Sequence, residues 1–236
     1  MPSKPTLVVL TGAGVSAESG VKTFRDHNGL WEDHAVEDVA TPQGWARDPD
    51  LVTAFYNARR AQLSTVEPNA AHLALAAAET FVKTIIITQN VDDLHERAGS
   101  TQVLHLHGEL LKARSSVDES YVVDCDYALD ATHRCPRGSR LRPHVVWFGE
   151  AVPAIEAACE LVGEANFVLI VGTSLQVYPA AGLLQCSPAA AAVTYIDPHP
   201  AESYELRQRP QASVRATTAT VGVPEYLGEL RRAIEA

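Results

Sequence analysis

The amino-acid sequence predicts an α/β fold: a doubly wound, Rossmann-like parallel sheet with a smaller inserted lobe. Three observations lead there. Short apolar runs rich in β-branched residues recur along the chain and are nearly continuous rather than alternating, as strands covered on both faces are. Helix-like stretches separate these runs. The residues least suited to a core follow the runs directly, at the carboxyl ends of the expected strands, where open α/β sheets bind ligands.

In chain order, the expected strands are "TLVVL" (6–10), "VKTIIIT" (82–88), "VLHL" (103–106), "FVLIV" (167–171) and "VTYI" (193–196). Between them "AAHLALAAAE" (70–79), "AIEAACELVGEA" (154–165) and "PAAGLLQC" (179–186) read as helices. The final "VPEYLGELRRAIEA" reads as an amphipathic helix with Pro224 in its first turn. Two stretches break the rhythm. Residues 21–69 are a loop followed by the helix-like "DPDLVTAFYNARRAQL", and residues 109–150 are irregular and polar. Both are expected to pack as the small lobe, beside a Rossmann-like lobe of roughly 1–20, 70–108 and 151–236, within a single domain.

Composition narrows the function. The chain has 236 residues, 46% of them hydrophobic, enough for one large domain with an insertion or for two small ones. A net charge of −10 argues against nucleic acid and anionic membranes and favours basic partners such as lysine-rich protein segments. The start, "MPSKPTLVVL", is too short and polar for a signal peptide, and no apolar run reaches membrane-spanning length. The four cysteines form no dense pattern, so a cytoplasmic, reducing setting is expected, with Cys159 and Cys186 as buried thiols on helices.

The strand ends carry the chemistry. "TGAGVSAESG" (11–20) fits the G-x-G-x-x-G/A turn through Gly12, Gly14 and Ala17. A dehydrogenase would also place an acidic residue roughly 20 residues on, at a strand end. Glu32 and Asp33 sit near that spacing without strand support, and Asp197 is the better ribose partner, or else a turn cap before Pro198. Gln89, Asn90 and Asp92 fall at a helix start in "TQNVDDLH". His107 ends the "VLHL" run beside Gly108, where a neutral imidazole can take a proton from a sugar hydroxyl. Taken alone, a buried, hydrogen-bonded histidine is the commoner outcome, and that reading is kept for His105. Gly172, Thr173 and Ser174 form an ordinary turn taken singly. Five such groups at one sheet edge point to a nucleotide-sized site.

In order, "GAGVSAESGVKTFR", "TQNVDDLH", "LHGEL", "RPHVVWFGE" and "GTSLQVYPAAG" resemble the sirtuins, the NAD-dependent protein-lysine deacylases, from about residue 7 to residue 230. The resemblance implies that NAD is consumed rather than reduced. The acyl oxygen of a modified lysine attacks the ribose carbon bearing nicotinamide, and the acyl group ends on ADP-ribose. It assigns Asp92 to the carboxamide, Asn90 and Gln89 to ribose and water, and His107 to activating a ribose hydroxyl after the first attack. It assigns cofactor contact to the loop 12–31, including Ala13, Glu18, Phe24, Arg25 and Trp31, and to Val91, Pro198 and Ala219. Gly172, Thr173 and Ser174 would hold the adenosine half. Val145, Val146, Trp147, Phe148 and Gly149 belong to the strand beside which a substrate peptide lies.

Tyr56 and Arg59 are three apart on the expected helix and face one way, beside an apolar stripe of Leu51, Phe55 and Ala58. Within the family, this Tyr-x-x-Arg pair resembles the subgroup that removes succinyl, malonyl and glutaryl groups, since a guanidinium and a phenol can hold a carboxylate. Outside that context, a solvated arginine beside a packed tyrosine is the simpler reading. Acetyl-lysine is expected to enter as well.

Two departures stand out. The family's paired zinc cysteines are missing: Ser115 and Ser116 stand where a cysteine is expected, and only Cys125 and Cys135 remain, with His133 and Asp124 nearby. The lobe is expected to be held instead by packing around Tyr121, Val122, Val123 and Tyr127, with no structural zinc. The last-strand motif reads "IDPHP" rather than Asn-x-Glu. Other readings are mono-ADP-ribosyl transfer by the same chemistry and a non-catalytic NAD or ADP-ribose module. The sequence leaves the oligomeric state open.

Overall fold

The computed structural model describes residues 4–22, 30–31 and 34–236. Its strands, in chain order, are β1 (Thr6–Thr11), β2 (Leu30–Trp31), β3 (His34–Ala35), β4 (Lys83–Thr88), β5 (Val103–His105), β6 (Gly108–Ser115), β7 (Val122–Asp124), β8 (Leu141–Val145), β9 (Phe167–Val171), β10 (Ala192–Ile196) and β11 (Ser213–Arg215). The helices are α1 (Gly14–Ala17), α2 (Val36–Val39), α3 (Pro42–Arg47), α4 (Pro49–Leu63), α5 (Ala70–Ala78), α6 (Leu94–Arg97), α7 (Ile155–Gly163), α8 (Tyr204–Arg207) and α9 (Ala219–Glu235), with a 3₁₀ helix over Ala180–Cys186.

The large sheet runs β11-β10-β9-β1-β4-β5. β1 pairs in parallel with β4 on one side and with β9 on the other. The chain therefore builds outward from β1 through β4 to β5, then returns to start again at β9. That reversal opens a crevice at the carboxyl ends of β1 and β9. Alternate residues serve opposite faces, as the two-residue strand period requires. Val8, Leu10, Ile85, Ile87, Val168 and Ile170 pack on the side of α7 and the 3₁₀ helix. Leu7, Val9, Ile86, Leu169 and Val171 pack on the side of α5 and α9. Burial of both faces is why these strands read as unbroken apolar runs.

Several boundaries differ from expectation. "VLHL" ends as a strand at His105, and "PAAGLLQC" winds as 3₁₀ rather than α. α9 starts at Ala219, so Pro224 lies inside the helix rather than in its first turn. The start is set by Glu18, whose carboxylate accepts Thr220 N–H at 3.1 Å and the Thr220 hydroxyl at 2.7 Å. An acidic group supplied from α1 thus satisfies a donor at the helix start, a role the proline signal could not reveal. The loop read into 21–69 contains α2 and α3. Thr41 caps α3 ahead of Pro42, and Asp48 caps α4 ahead of Pro49.

α4 buries a different stripe from the one expected. Ala58 faces solvent, while Val52, Phe55, Tyr56, Arg59 and Leu63 face inward. Phe55, Tyr56 and Val52 join Leu94, Leu110, Val145 and Trp147 in a core between α4 and β8. Apolar content alone misplaced the stripe, because the buried face carries two arginines, Arg59 and Arg60. Arg60 Nε donates to Leu110 O at 3.1 Å.

The smaller sheet is β7-β6-β8. It closes over Ala113, Cys125, Leu129, Cys135 and Leu141, with Tyr121 and Val123 packed against them. Val122 and Tyr127, expected in this core, are 37% and 43% exposed, since strand alternation turns Val122 outward. Cys135 Sγ meets the hydroxyls of Ser115 and Ser139 at 3.4 and 3.0 Å. Hydroxyl donors in this cluster do not fit the thiolate-rich tetrahedral set that structural zinc takes. Among the described residues, no group of three or more His, Cys, Asp or Glu is placed to hold a metal. No described helix is long and apolar enough to cross a membrane.

The expectation of two free thiols at 159 and 186 is overturned. Cys159 on α7 and Cys186 at the end of the 3₁₀ helix form a disulfide, with Cα atoms 5.4 Å apart. These two elements pack against each other, and a separation of 27 residues gives no hint of that proximity. Closing such a loop is worth about 3 kcal/mol. Reduction with dithiothreitol is expected to lower unfolding stability by about that amount, measured by urea titration. A Cys159→Ser, Cys186→Ser variant should show the lower stability with no further response to reductant.

Candidate active site

The crevice at the switch point is made by two loops that touch. Gly12 N–H donates to Val171 O at 3.1 Å and Gly14 N–H to Gly172 O at 2.9 Å. Gly172 has φ +60°, and a Cβ there would meet Val15 N at 2.4 Å. A Cβ on Gly14 would meet Gly172 Cα at 2.6 Å. Glycine is required on both sides for the two backbones to approach.

Behind these loops lies a cavity of about 550 Å³. Gly12, Ala13, Gly14, Ala17 and Glu18 line it from the β1 end, Gln89, Asn90, Val91 and Asp92 from the β4 end, and His107 from beyond β5. Gly172, Thr173 and Ser174 follow β9, Asp197 and Pro198 follow β10, and Ala219 opens α9. Tyr56 and Arg59 from α4 and the stretch Val145, Val146, Trp147, Phe148 and Gly149 complete the far wall. The strand expected through 145–150 ends at Val145, and Trp147 to Glu150 close a turn, with Glu150 N–H donating to Trp147 O at 3.0 Å. Phe24 and Arg25 lie outside the described residues, as do Glu32 and Asp33. Trp31 lies on β2, its backbone paired with His34.

The two neighbouring histidines differ electrically. His107 Nδ1 lies 2.9 Å from Gln89 O. A carbonyl only accepts, so Nδ1 carries the proton and Nε2 keeps its lone pair. Burial pushes the His107 imidazole below its ordinary range, outweighing that hydrogen bond. His105 instead contacts Asn90 O at 2.9 Å and Glu96 Oε1 at 2.8 Å. Burial works against its charge, but those acceptors more than offset it, and its pKa is raised. His105 is thus held by two acceptors, while His107 keeps an unprotonated Nε2.

Asp92 is 6% exposed. Burial raises its pKa, opposed by hydrogen bonds from Leu94 N–H at 3.2 Å and the Ser16 hydroxyl at 3.0 Å. Ser16 also accepts from Asn90 Nδ2 at 3.1 Å and lies 3.5 Å from His72 Nε2. Ser16 therefore ties Asn90 to Asp92, a role that the sequence reading missed. Its only signal was a hydroxyl inside the glycine turn. Gln89 Nε2 donates to the Thr173 hydroxyl at 3.0 Å, linking the β4 and β9 ends. Asp197 Oδ1 accepts His199 N–H at 2.8 Å, so it closes its own turn while lining the cavity.

At the far wall, Trp147 Nε1–H donates to the Tyr56 hydroxyl at 3.0 Å. Burial raises the Tyr56 pKa above its ordinary value, despite that bond and the nearby Arg59 and Arg142 charges, and keeps it a neutral phenol. Arg59, 7% exposed, reaches the same cavity.

The backbone cradle, the cavity of about 550 Å³ and the polar groups at the strand ends suit a dinucleotide. The Sir2 family pattern matches residues 12–179. An NAD-dependent protein deacylase of Aggregatibacter actinomycetemcomitans is 54% identical over 197 residues, 84% of this chain and 95% of that one. That of Escherichia coli (strain K12) is 44% identical over 248 residues, 99% of this chain and 85% of its own. A Sir2 homologue solved in complex with NAD superimposes with a TM-score of 0.86 at 38% identity, over 98% of this chain and 91% of that one. A mutant Sir2 homologue bound to ADP-ribose gives 0.87 at 38% identity, over 99% and 94%. With the β1, β4 and β9 loops of the cleft falling within the matched residues, the conclusion is direct: the chain belongs to the Sir2 family and is an NAD-dependent protein deacylase, with NAD as its co-substrate.

Proposed function

We propose that the enzyme removes succinyl and malonyl groups from protein lysines, and acetyl groups as well, passing them to ADP-ribose with release of nicotinamide. The observation that carries this reading is the convergence of Tyr56 and Arg59 on the cavity that also holds His107 and Asp92. A guanidinium can take a carboxylate through two hydrogen bonds and a neutral phenol can add a third.

NAD supplies the ribose carbon that takes up the acyl oxygen as nicotinamide departs. The remaining work is the chain's own. Asp92, anchored by Ser16 and Leu94, accepts from a carboxamide. Asn90 and Gln89 orient the ribose and a water. His107 Nε2 takes a proton from a ribose hydroxyl. Val145 through Gly149 line the wall along which an extended peptide would lie, and carbonyls rather than the N–H groups of Val146, Trp147 and Phe148, which are bonded within the chain, would meet it. Gly172, Thr173, Ser174, Asp197, Pro198 and Ala219 embrace the adenosine half. We also place the enzyme in the cytoplasm, where protein-bound acyl-lysine and NAD meet; in that reducing setting the Cys159–Cys186 bridge is expected to exchange with the thiol pool.

The test is incubation with NAD and matched acetyl-, malonyl- and succinyl-lysine peptides, read by mass spectrometry. The expected result is nicotinamide release that requires an acyl-lysine peptide, O-acyl-ADP-ribose as product, and the greatest kcat/KM for the acidic acyl groups. Turnover of the acetyl peptide alone would overturn the acyl assignment. ADP-ribose attached to protein without an O-acyl product would favour ADP-ribosyl transfer.

A further inference from the structure

The wall behind Tyr56 is held by a residue that does not reach the cavity. Arg142, on β8, lays its guanidinium over the Trp147 indole, with Cζ 3.4 Å from the ring centroid. The same guanidinium donates to the two oxygens of Glu150 at 2.7 and 2.9 Å and to Val145 O at 2.9 Å. Glu150 in turn accepts Trp147 N–H at 2.8 Å. One ion pair thus clasps Trp147 twice, by its ring face and by its main chain. Trp147 passes that constraint on, since its indole N–H is the donor to Tyr56.

Arg114 reaches the same Glu150 carboxylate at 3.2 Å and has Glu119 acting on it as well. Arg142, by contrast, lies over the indole, so its own charge sits one ring away from Tyr56. A cation over an aromatic face is stabilised by the ring and draws its electron density, which strengthens the N–H at the ring edge as a donor.

We propose that Arg142 is a positioning residue that sets acyl preference: it fixes Trp147, and through Trp147 the Tyr56 hydroxyl, and its charge reinforces Arg59 in favouring acyl groups that end in a carboxylate. This inference rests on the acyl reading given above.

Three variants of the full chain test it, with kcat/KM measured on succinyl- and acetyl-lysine peptides and thermal stability recorded for each. Arg142→Met is expected to lower kcat/KM for the succinyl peptide about tenfold more than for the acetyl peptide, mainly through KM. Glu150 keeps Arg114 in that variant, so no carboxylate is left bare. Arg142→Lys, which keeps the charge, is expected to recover part of the ratio. Arg114→Met removes a partner of the same carboxylate without touching the indole, and should leave the ratio within about twofold whatever it does to stability. Equal loss on both peptides in Arg142→Met, or an equal ratio shift in Arg114→Met, overturns the proposal. Should Arg142→Met fail to fold, Arg142→Lys decides, an unchanged ratio counting against it. Arg59→Ala runs alongside. If it leaves the ratio unchanged, the acyl reading itself fails. If it shifts the ratio and Arg142→Met does not, only the assignment of Arg142 fails.

Discussion

Replacing His107 with asparagine is expected to cut acyl-group removal by about 10²–10⁴-fold, the usual worth of a positioned general base. The tautomer locked by Gln89 O leaves Nε2 as the only ring atom able to take a proton. Asparagine can keep a hydrogen bond to that carbonyl but offers no basic nitrogen. In the proposed order the base acts after the first attack, so exchange of free nicotinamide into NAD should survive better than product formation. Two assays on one preparation, O-acyl-ADP-ribose by mass spectrometry and nicotinamide exchange with labelled base, read the difference. Parallel loss of both would remove His107 from that step. The sign of the pH effect follows from burial. The imidazolium is disfavoured in the folded protein, so the active neutral form persists below 6.5, histidine's ordinary value. The acid limb of kcat/KM should lie below 6.5, with activity falling as pH drops through it.

Arg59→Ala is expected to lower kcat/KM for the succinyl peptide about 10- to 100-fold, as lost hydrogen bonds to a charged group imply. The acetyl peptide should lose much less, because its methyl group never meets the guanidinium. Arg59 also lines a second opening, with His34, Leu51, Ala54, Phe55, Ala58 and Gln62, so truncation widens that wall as well. Widening affects both peptides alike, so the ratio between them isolates the charge. Equal losses on both peptides would show that Arg59 does not meet the acyl group.

The sheet was legible because its strands are buried on both faces and carry little except Val, Ile and Leu. Loops after β1, β4, β9 and β10 were legible for the complementary reason: glycines and polar groups at strand ends have few other uses. β11 was not, since "SVR" is a three-residue edge strand with Val214 53% exposed. Where sequence failed, long-range contacts decided. Glu18 fixed the start of α9 from 202 residues away. The Cys159–Cys186 bond depends on two elements that meet only in three dimensions. The buried face of α4 was obscured because Arg59 and Arg60 occupy it, Arg60 answered by Leu110 O from β6 and Arg59 set over the Phe55 ring one turn back on the same helix. Ser16 escaped notice since a serine in a glycine turn is ordinary until its neighbours are known.

The clasp between Glu18 and Thr220 bears on synthesis. A ribosome delivers the amino end first, yet the first turn of the nucleotide cradle rests on partners made much later: Gly172 beyond β9 and the opening of α9. A nascent chain can condense parts of its sheet early, but its cradle stays incomplete until α9 has emerged.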